Sequence, residues 1–386
     1  MNESALGDEL AGILADLIAI PSPYPPGDSV AISAYAADRL RRAGYRTAIM
    51  SEEPGVDNVV ASLGEGAPHL VFNAHSDTVA MGDRGKWATD PYRAERSGDR
   101  IHGLGAGNCK GSMAVQLWLA EEIARRGGPR RGTVTFTFVA DEENLGPHGM
   151  AFLRQAGHVR PDVLILGAQT ENQMIVAERG VLWARVATTG RAAHAGNPAA
   201  GDSAILRLAR LLAALEANLV PALDARRDGA MQSTINVGLI EGGSNANVVP
   251  SAAAMTIDRR LLPAEKVDAA FAELHAILSA AGEPDGSWTL EKLTGTNGFR
   301  AAADGPGVTA LGAAIAGRTG APARLLNATG VSDGRYFADD GIEIVNFGPG
   351  SGAEGHAANE SVPLSQMVDS AAILLDAVRR LTGSQD

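Results

Sequence analysis

The chain has 386 residues, of which 45% are hydrophobic and 20% are charged. This composition is normal for a folded globular protein, and the length is too great for one simple core, so we expect two domains. The formal net charge of −12 disfavours a nucleic-acid partner, and we expect a small-molecule substrate instead.

The start of the chain, Met1-Asn2-Glu3-Ser4, lacks the basic and then apolar pattern of a signal peptide. No apolar run reaches the roughly eighteen residues that a membrane span requires, so we expect a cytoplasmic protein with no membrane partner. The single cysteine, Cys109, permits no internal disulfide and agrees with a reducing compartment. We expect Cys109 to be a buried apolar side chain.

Helical and strand patterns alternate along the first part of the chain. In order, they predict helices at 6–20 and 28–44, strands at 47–50, 58–63 and 70–74, a helix at 110–126, a strand at 133–140, a helix at 149–155 and a strand at 163–166. This order is typical of an α/β fold with a doubly wound, mostly parallel sheet covered on both faces. We expect the loops at the strand ends to carry the chemistry.

A different order follows from about residue 181. It predicts a strand at 182–187, a helix at 203–216, strands at 234–239 and 252–259, a helix at 264–281 and a strand at 288–292. This βαββαβ order is that of the ferredoxin-like unit. The α/β pattern then resumes with a helix at 308–316, a strand at 342–347 and a helix at 365–381. We therefore expect a main domain at 1–180 and 293–386, with an inserted domain at 181–292.

Two short polar runs follow apolar segments and form the first candidate site. His75 ends one segment, with Asp77 two residues later, and Glu142 and Glu143 follow another. A histidine at a strand end can bind a metal while a nearby carboxylate fixes its tautomer. Adjacent glutamates can divide metal binding from general-base work. His356, near the end of the chain, is a further candidate.

An ordered series of motifs covers almost the whole chain. The motifs are His75-Ser76-Asp77-Thr78, Trp87 with Asp90-Pro91, Gly103-Leu104-Gly105-Ala106 before Lys110-Gly111, Asp141-Glu142-Glu143, His194, Asn247-Val248-Val249-Pro250, Asp258 with Arg260, Ser332-Asp333-Gly334-Arg335, and Gly348-Pro349-Gly350 before His356 and Asn359-Glu360. In this order the chain resembles the zinc metallopeptidase family of aminoacylases, carboxypeptidase G, acetylornithine deacetylase and succinyl-diaminopimelate desuccinylase.

The resemblance implies roles for the residues of the first candidate site. His75 would be a ligand of one metal, with Asp77 behind its other ring nitrogen. Glu142 would be the general base that takes a proton from the attacking water, and Glu143 and His356 would hold the other metal. The inserted domain would serve as a lid and as the dimerisation domain of a homodimer.

Further roles are implied for residues that bind the substrate. His194 resembles the residue that reaches across the dimer to polarise the scissile carbonyl, and Asn247 and Arg260 resemble groups that bind a substrate carboxylate. A guanidinium matches a carboxylate bidentately, which gives Arg260 a physical reason for this role. Alternation along a strand puts only one of Arg259 and Arg260 on the pocket face, and the family register favours Arg260. Asp333 and Arg335 complete the expected substrate-binding set.

The chain departs from the family pattern at two positions. Asn108 stands where the family has the aspartate that bridges two metals, and Ala168 stands where it has the second metal's carboxylate. Two divalent ions about 3.5–4 Å apart repel by roughly 17–19 kcal/mol at an effective dielectric constant near 20, and anionic ligands must offset this repulsion. An amide and a methyl group carry no charge, so we expect no two-metal centre.

Two alternatives remain open for the cofactor. One divalent ion, zinc, manganese or magnesium, would bind Glu143 and His356, with the Asn108 oxygen and water as weaker ligands. The sequence does not decide whether Gln169 or Glu171 reaches this centre. Alternatively, the pocket is metal-free, and its glutamates and histidines form an acid–base cluster in which repulsion raises one glutamate pKa towards neutrality.

These observations favour an enzyme that hydrolyses a carbon–nitrogen bond other than an ordinary peptide bond. Its substrate would be a small carboxylate such as an acylated amino acid, with Glu142 as the base. One alternative is a metal-independent enzyme that performs amide exchange, cyclisation or elimination on the same scaffold. Another is a non-catalytic dimeric binding protein.

Overall fold

The computed structural model describes residues 2–25, 27–328 and 330–383. The chain divides into two compact units. The first comprises Met1–Val176, Ala301–Leu326 and Ser332–Asp386, and the second comprises Ala177–Arg300 and Asn327–Val331. The boundaries near 177 and 300 lie slightly outside the expected 181 and 292, because Phe299 and Arg300 pair with Glu178 and Ala177 in a short antiparallel ladder.

The described residues contain both classes of regular element. The α-helices are α1 (Glu3–Ala19), α2 (Val30–Arg42), α3 (Gly111–Arg125), α4 (Met150–Gln155), α5 (Ala204–Asn218), α6 (Val220–Asp224), α7 (Val267–Ala280), α8 (Pro306–Thr319) and α9 (Leu364–Thr382). The strands are β1 (Arg46–Met50), β2 (Asn58–Glu65), β3 (His69–His75), β4 (Glu95–Ser97), β5 (Arg100–His102), β6 (Gly132–Val139), β7 (Val163–Gly167), β8 (Met174–Glu178), β9 (Gly180–Thr189), β10 (Arg227–Asp228), β11 (Met231–Gln232), β12 (Thr234–Gly242), β13 (Ala252–Leu261), β14 (Trp288–Thr296), β15 (Phe299–Arg300), β16 (Leu325–Ala328), β17 (Glu343–Phe347) and β18 (Ser361–Pro363).

A mostly parallel sheet forms the centre of the first unit. The four strands β6, β3, β7 and β17 run parallel in that order, and β2 and then β1 extend one edge with antiparallel pairing. This arrangement confirms the predicted mixed α/β class. The carboxyl ends of β3 and β6 lie side by side, because His75 pairs with Val139. The residues that follow these two strands therefore start from the same edge of the sheet.

One face of the central sheet is apolar. Phe72 of β3 stacks on Phe136 of β6 with ring centroids 5.1 Å apart, and both side chains are fully buried. Helix α3 packs on β3, β6 and β7 and also contacts α1 and α9. Because it is covered on several sides, most of its residues are buried, from Gly111 to Ile123.

Successive residues of a strand alternate between its two faces, so Asn73 and His75 lie on the face of β3 opposite Phe72. The Oγ1 of Thr137 donates to Asn73 Oδ1 at 3.0 Å, and Asn73 Nδ2 donates to Asp333 Oδ2 at 3.2 Å. All three residues are buried. His75 lies two residues after Asn73 and therefore emerges on the same face, above this buried network.

The second unit contains an antiparallel sheet in the order β12, β13, β9, β14. Along the chain the elements run β9, α5, β12, β13, α7, β14, with the short α6 after α5, so the predicted βαββαβ unit is confirmed. Helices α5 and α7 supply Leu208, Leu211 and Leu274 to its core, which also contains Ile257 of β13. Strand β12 lies at one edge of this sheet, and most of its residues are exposed.

Candidate active site

His75 is the last residue of β3 and is buried. Its Nδ1 lies 2.9 Å from the backbone carbonyl oxygen of Asp77 and 3.4 Å from the carboxylate Oδ1 of the same residue. The backbone carbonyl is thus the nearer partner, although the sequence indicated the carboxylate. The other carboxylate oxygen, Oδ2, accepts the Glu143 backbone N–H at 3.2 Å and so holds the turn that carries the glutamates.

The Asn108 carboxamide contacts the three side chains that were expected to bind metals. His75 Nε2 lies 3.2 Å from Asn108 Oδ1, Glu143 Oε1 accepts from Asn108 Nδ2 at 2.8 Å, and His356 Nε2 lies 3.0 Å from the same nitrogen. Glu143 Oε1 and His356 Nε2 are themselves 2.8 Å apart. One neutral amide therefore connects side chains that come from three separate segments of the first unit.

Glu360 fixes the backbone that carries Asn108. An irregular turn, Ala106–Lys110, precedes α3, and the carboxylate of Glu360 accepts the backbone N–H groups of Gly105, Gly107 and Asn108 at 2.9, 3.0 and 2.6 Å. Burial raises the pKa of Glu360, although these three hydrogen bonds oppose the increase. No role was predicted for Glu360, and the available signal was its place in the motif Asn359-Glu360.

Glu142 is a partly buried carboxylate among charged neighbours, with a side chain that is 15% exposed. Its pKa is raised to about 8: burial is the largest cause, Asp333 and Glu143 add to the increase, and His75 and Arg335 oppose it. Its Oε2 lies 3.9 Å from His75 Nε2, and its Oε1 lies 3.9 Å from Arg335 Nη1. A carboxylate with a pKa near neutrality can both accept and return a proton in one reaction cycle, which is what a general base requires.

Arg335 and Asp333 lie on the short helical turn Asp333–Phe337, and both are buried. Arg335 Nη2 donates to the Tyr336 hydroxyl at 2.8 Å, and that hydroxyl donates to the Gly146 carbonyl oxygen. The Nη1 of Arg335 is buried without a hydrogen-bond partner. Burial raises the pKa of Asp333, while Arg335 opposes the increase. Arg335 thus offers an unused N–H donor beside Glu142.

The pKa of His75 is well above its ordinary value. Burial lowers this pKa, but the acidic groups of Cys109, Glu142 and Asp77 outweigh burial and raise it. Both ring nitrogens face oxygen acceptors, the Asp77 carbonyl and Asn108 Oδ1. A ring that donated from both nitrogens would have no lone pair for a metal, so His75 could bind an ion only in its neutral form. Cys109 itself is buried, as expected, and burial raises the pKa of its thiol.

The donor set does not fit two metal ions. Ala168 offers only a methyl group, and the Asn108 amide directs its N–H groups at Glu143 and His356. Among the described residues, one group could hold a single ion: ligand atoms of His75, Glu142 and Glu143 lie within 4.8 Å of one another. This group contains the expected base, Glu142, in addition to two expected ligands.

Gln169 and Glu171 lie in different environments. Glu171 is exposed and has a left-handed backbone with φ of 52°. Gln169 lies against the glycines that precede Asn108 and His356: an ideal Cβ on Gly107 would be 2.8 Å from its Nε2, and one on Gly355 would be 3.0 Å from its Oε1. Of these two residues, whose reach the sequence did not decide, Gln169 therefore contacts the loops of the site.

His194, Asn247 and Arg260 belong to the second unit. His194 forms an antiparallel bridge with Val248, and the Ala195 N–H donates to the Asn247 carbonyl oxygen at 2.9 Å. His194 and Asn247 are thus neighbours, and both are exposed. Arg260 Nε and Nη2 donate to the two carboxylate oxygens of Asp258 at 2.7 and 2.9 Å.

Arg259 differs from Arg260 in its surroundings. It is fully buried and pairs with Glu265 and Glu273. The side chain of Arg260 is one quarter exposed, and its partner Asp258 also accepts the Trp183 indole N–H at 2.8 Å. Alternation along β13 therefore separates the two arginines, with Arg259 in an internal ion network and Arg260 on the more accessible face.

Carboxylates and histidines that come together beside the ends of parallel strands are typical of a hydrolase active site. The sequence model of Peptidase family M20/M25/M40 matches residues 71–380, and the chain belongs to this family. The prediction of a hydrolase of carbon–nitrogen bonds is confirmed at the level of the family. Among the described residues, no helix is long and apolar enough to cross a membrane.

Curated relatives and solved structures agree with this assignment. A succinyl-diaminopimelate desuccinylase of Methylocella silvestris is 30% identical over 355 residues, which cover 89% of this chain and 90% of the relative. One of Bordetella parapertussis is 31% identical over 366 residues, covering 92% and 93%. An M20 family metallo-carboxypeptidase of Sulfolobus solfataricus superposes with a TM-score of 0.77 at 17% identity, covering 97% and 99%. A dinuclear metal binding M20 peptidase of Bacillus subtilis gives 0.76 at 14% identity, covering 99% and 100%.

The raised pKa of Glu142 predicts the pH dependence of turnover. Only the ionised carboxylate accepts a proton from water, so kcat/KM should increase with pH and reach half of its plateau near pH 8. A pH profile of kcat/KM, repeated in different buffers as a control, measures this midpoint. A profile that is already flat well below that pH would contradict the assigned electrostatic environment of Glu142.

Proposed function

We propose that the protein hydrolyses the amide bond of a small acylated amino acid, or a similar carboxylate, with Glu142 as general base. The observation that carries this proposal is the partly buried Glu142 carboxylate between His75 and Arg335, with its pKa raised to about 8. The names of the curated relatives support the substrate class, because they are named succinyl-diaminopimelate desuccinylases.

The proposed reaction uses side chains with separate tasks. Glu142 takes a proton from the attacking water and passes it to the departing nitrogen. Asp333 holds Arg335, whose unused Nη1 supplies a hydrogen bond to the substrate beside Glu142. His75, with both nitrogens directed at acceptors, lowers the pKa of Glu142 and keeps part of it ionised. Asp77 orients His75 through its backbone carbonyl and Glu143 through its carboxylate.

The second unit supplies the remaining groups of the proposed site. His194, contributed by a second copy of the chain, would polarise the scissile carbonyl. Asn247 lies beside His194, and Arg260 is a partly exposed guanidinium suited to the substrate carboxylate. We propose that closure of this unit, as a lid, brings these groups onto the substrate and excludes water.

We further propose at most one divalent ion per chain: zinc, manganese or magnesium. Glu143 and His356 would hold it, with the Asn108 oxygen as a weak ligand, because Glu142 must stay free to act as the base. A bound ion would supply Lewis-acid stabilisation of the oxyanion. A second candidate function is metal-independent acid–base chemistry on the same substrate class, and the contacts of Asn108 with Glu143 and His356 favour it.

We propose a homodimer through the inserted unit. Strand β12 lies at the edge of its sheet, where Leu239 and Ile240 are 68% and 61% exposed. Ile205 and Leu206 of α5 are also exposed, and Ile205 lies against Gly242 and Gly243 beyond the end of this edge. An exposed apolar edge strand is unfavourable in a monomer, and pairing with a second copy would cover it.

We also propose that the protein is cytoplasmic, because its lone cysteine, the buried Cys109, agrees with a reducing compartment.

Glu142→Gln keeps the size of the side chain but removes its ability to accept a proton. We expect kcat on acylated amino acids to fall by about 10²–10⁴-fold, with the fold unchanged. Glu171→Gln is the matched control, since Glu171 is an exposed glutamate, and it should keep full activity. Steady-state assays with an N-succinyl and N-acetyl amino acid panel measure both variants. Full activity of Glu142→Gln would exclude the base assignment, and ligand binding without turnover by the unmodified protein would support a binding protein instead.

Restoring the missing charges should restore the second metal. The double variant Asn108→Asp with Ala168→Glu supplies two anionic ligands, so we expect it to hold about two zinc ions per chain after dialysis, against at most one for the unmodified protein. Elemental analysis measures this ratio. Asn108→Ala with Ala168→Glu is the control, because it removes the amide without restoring the bridging charge. Two ions in the unmodified protein would refute the proposed metal stoichiometry.

A charge on the exposed edge should prevent dimerisation. Leu239→Asp places an unpaired carboxylate in the proposed interface, and we expect the mass measured by light scattering to fall from dimer to monomer. Leu293→Asp is the control, because Leu293 is 45% exposed on β14, at the other edge of the same sheet. A monomeric unmodified protein, or a Leu239→Asp variant that stays dimeric, would rule out this interface.

A further inference from the structure

Gln169 lies between two loops of the candidate site. It follows Ala168 just after β7, and the next residue, Thr170, forms an antiparallel bridge with Ser351. The Thr170 hydroxyl also donates to the Gly348 carbonyl oxygen at 3.1 Å. These contacts fasten the segment of Gln169 alongside the segment that leads to His356.

The Gln169 carboxamide occupies space that only glycine leaves open. A Cβ on Gly107 would approach Gln169 Nε2 to 2.8 Å, and a Cβ on Gly355 would approach Oε1 to 3.0 Å. Gly107 immediately precedes Asn108, and Gly355 immediately precedes His356. The amide therefore lies between the two backbones that present Asn108 and His356, and its size limits how closely they approach each other.

The polar contacts of this amide are incomplete. Gln169 Nε2 is buried without a hydrogen-bond partner, which costs free energy relative to an apolar side chain of similar length. Hydrogen bonding to solvent does not explain the position of the Gln169 amide, because Nε2 is buried. Its contacts are instead steric, against Gly107 and Gly355 and against Gly350, whose Cβ would lie 3.7 Å from the Gln169 Cγ.

We propose that Gln169 is a positioning residue that sets the spacing between the Asn108 and His356 loops. Position 168 has no carboxylate that could connect the Asn108 and His356 loops through a metal. The Gln169 side chain instead keeps Asn108 Nδ2 3.0 Å from His356 Nε2 and 2.8 Å from Glu143 Oε1. This inference deepens the proposed function, and its kinetic test rests on that function.

The kinetic test separates spacing from a general structural role. Gln169→Ala should lower kcat by about tenfold to a hundredfold with little change in KM, because small displacements of catalytic groups have effects of this size. Gln169→Met keeps the length without the amide and should retain most of the activity. In a His356→Ala background, Gln169→Ala should cause no further loss. Gln173→Ala, on the same segment, is the control and should match the unmodified protein. Equal losses for the Ala and Met variants, or additive losses with His356→Ala, would refute the spacer role.

A thermal test requires no turnover. Gly355→Ala alone should lower the melting temperature, since the three atoms nearest to the new methyl group all belong to Gln169, and Gly355→Ala with Gln169→Ala should regain most of the loss. Additive decreases would refute the spacer role even if activity were normal. If the protein hydrolysed no acylated amino acid, the proposed function would fail, and the melting temperatures would still decide whether Gln169 separates the two loops.

Discussion

The hydrogen bonds of the Asn108 carboxamide are the interaction on which the site depends. This one uncharged group contacts His75, Glu143 and His356. In a two-metal centre, these three side chains would be metal ligands. Because an amide carries no net charge, it cannot offset the repulsion between two divalent ions, but its N–H groups can satisfy a carboxylate and a histidine directly. In this structure, hydrogen bonds of Asn108 therefore connect the two sides of the pocket.

Other contacts support the backbone of this amide and the opposite side of the pocket. Glu360 holds the backbone at Asn108 through three N–H groups, and the network from Thr137 through Asn73 to Asp333 supports the opposite side of the pocket. Asp333 holds a negative charge near Glu142, which together with burial raises the Glu142 pKa. Burial is the largest influence on the pKa of Glu142, and the charges of the neighbouring side chains adjust this pKa.

Local patterns in the sequence predicted much of this structure. Alternation along β3 and the motifs after β3 and β6 identified His75 and Glu142, and the missing charge at Asn108 and Ala168 was evident from residue types alone. The contact between Asn73 and Asp333 spans 260 positions, and no local pattern encodes it. The roles of Glu360 and Gln169 depend on which glycine backbones they approach, which only packing determines. The short strands β4, β5 and β18 were missed for a similar reason, since three-residue segments show no clear periodicity.

The most direct measurement of the central claim is anomalous diffraction at the zinc edge from crystals of the unmodified protein grown with excess zinc. Our account predicts no more than one peak in the pocket, with the Asn108 carboxamide still within hydrogen-bond distance of Glu143 and His356. Two well-occupied peaks about 3.5–4 Å apart, with Asn108 between them, would contradict it.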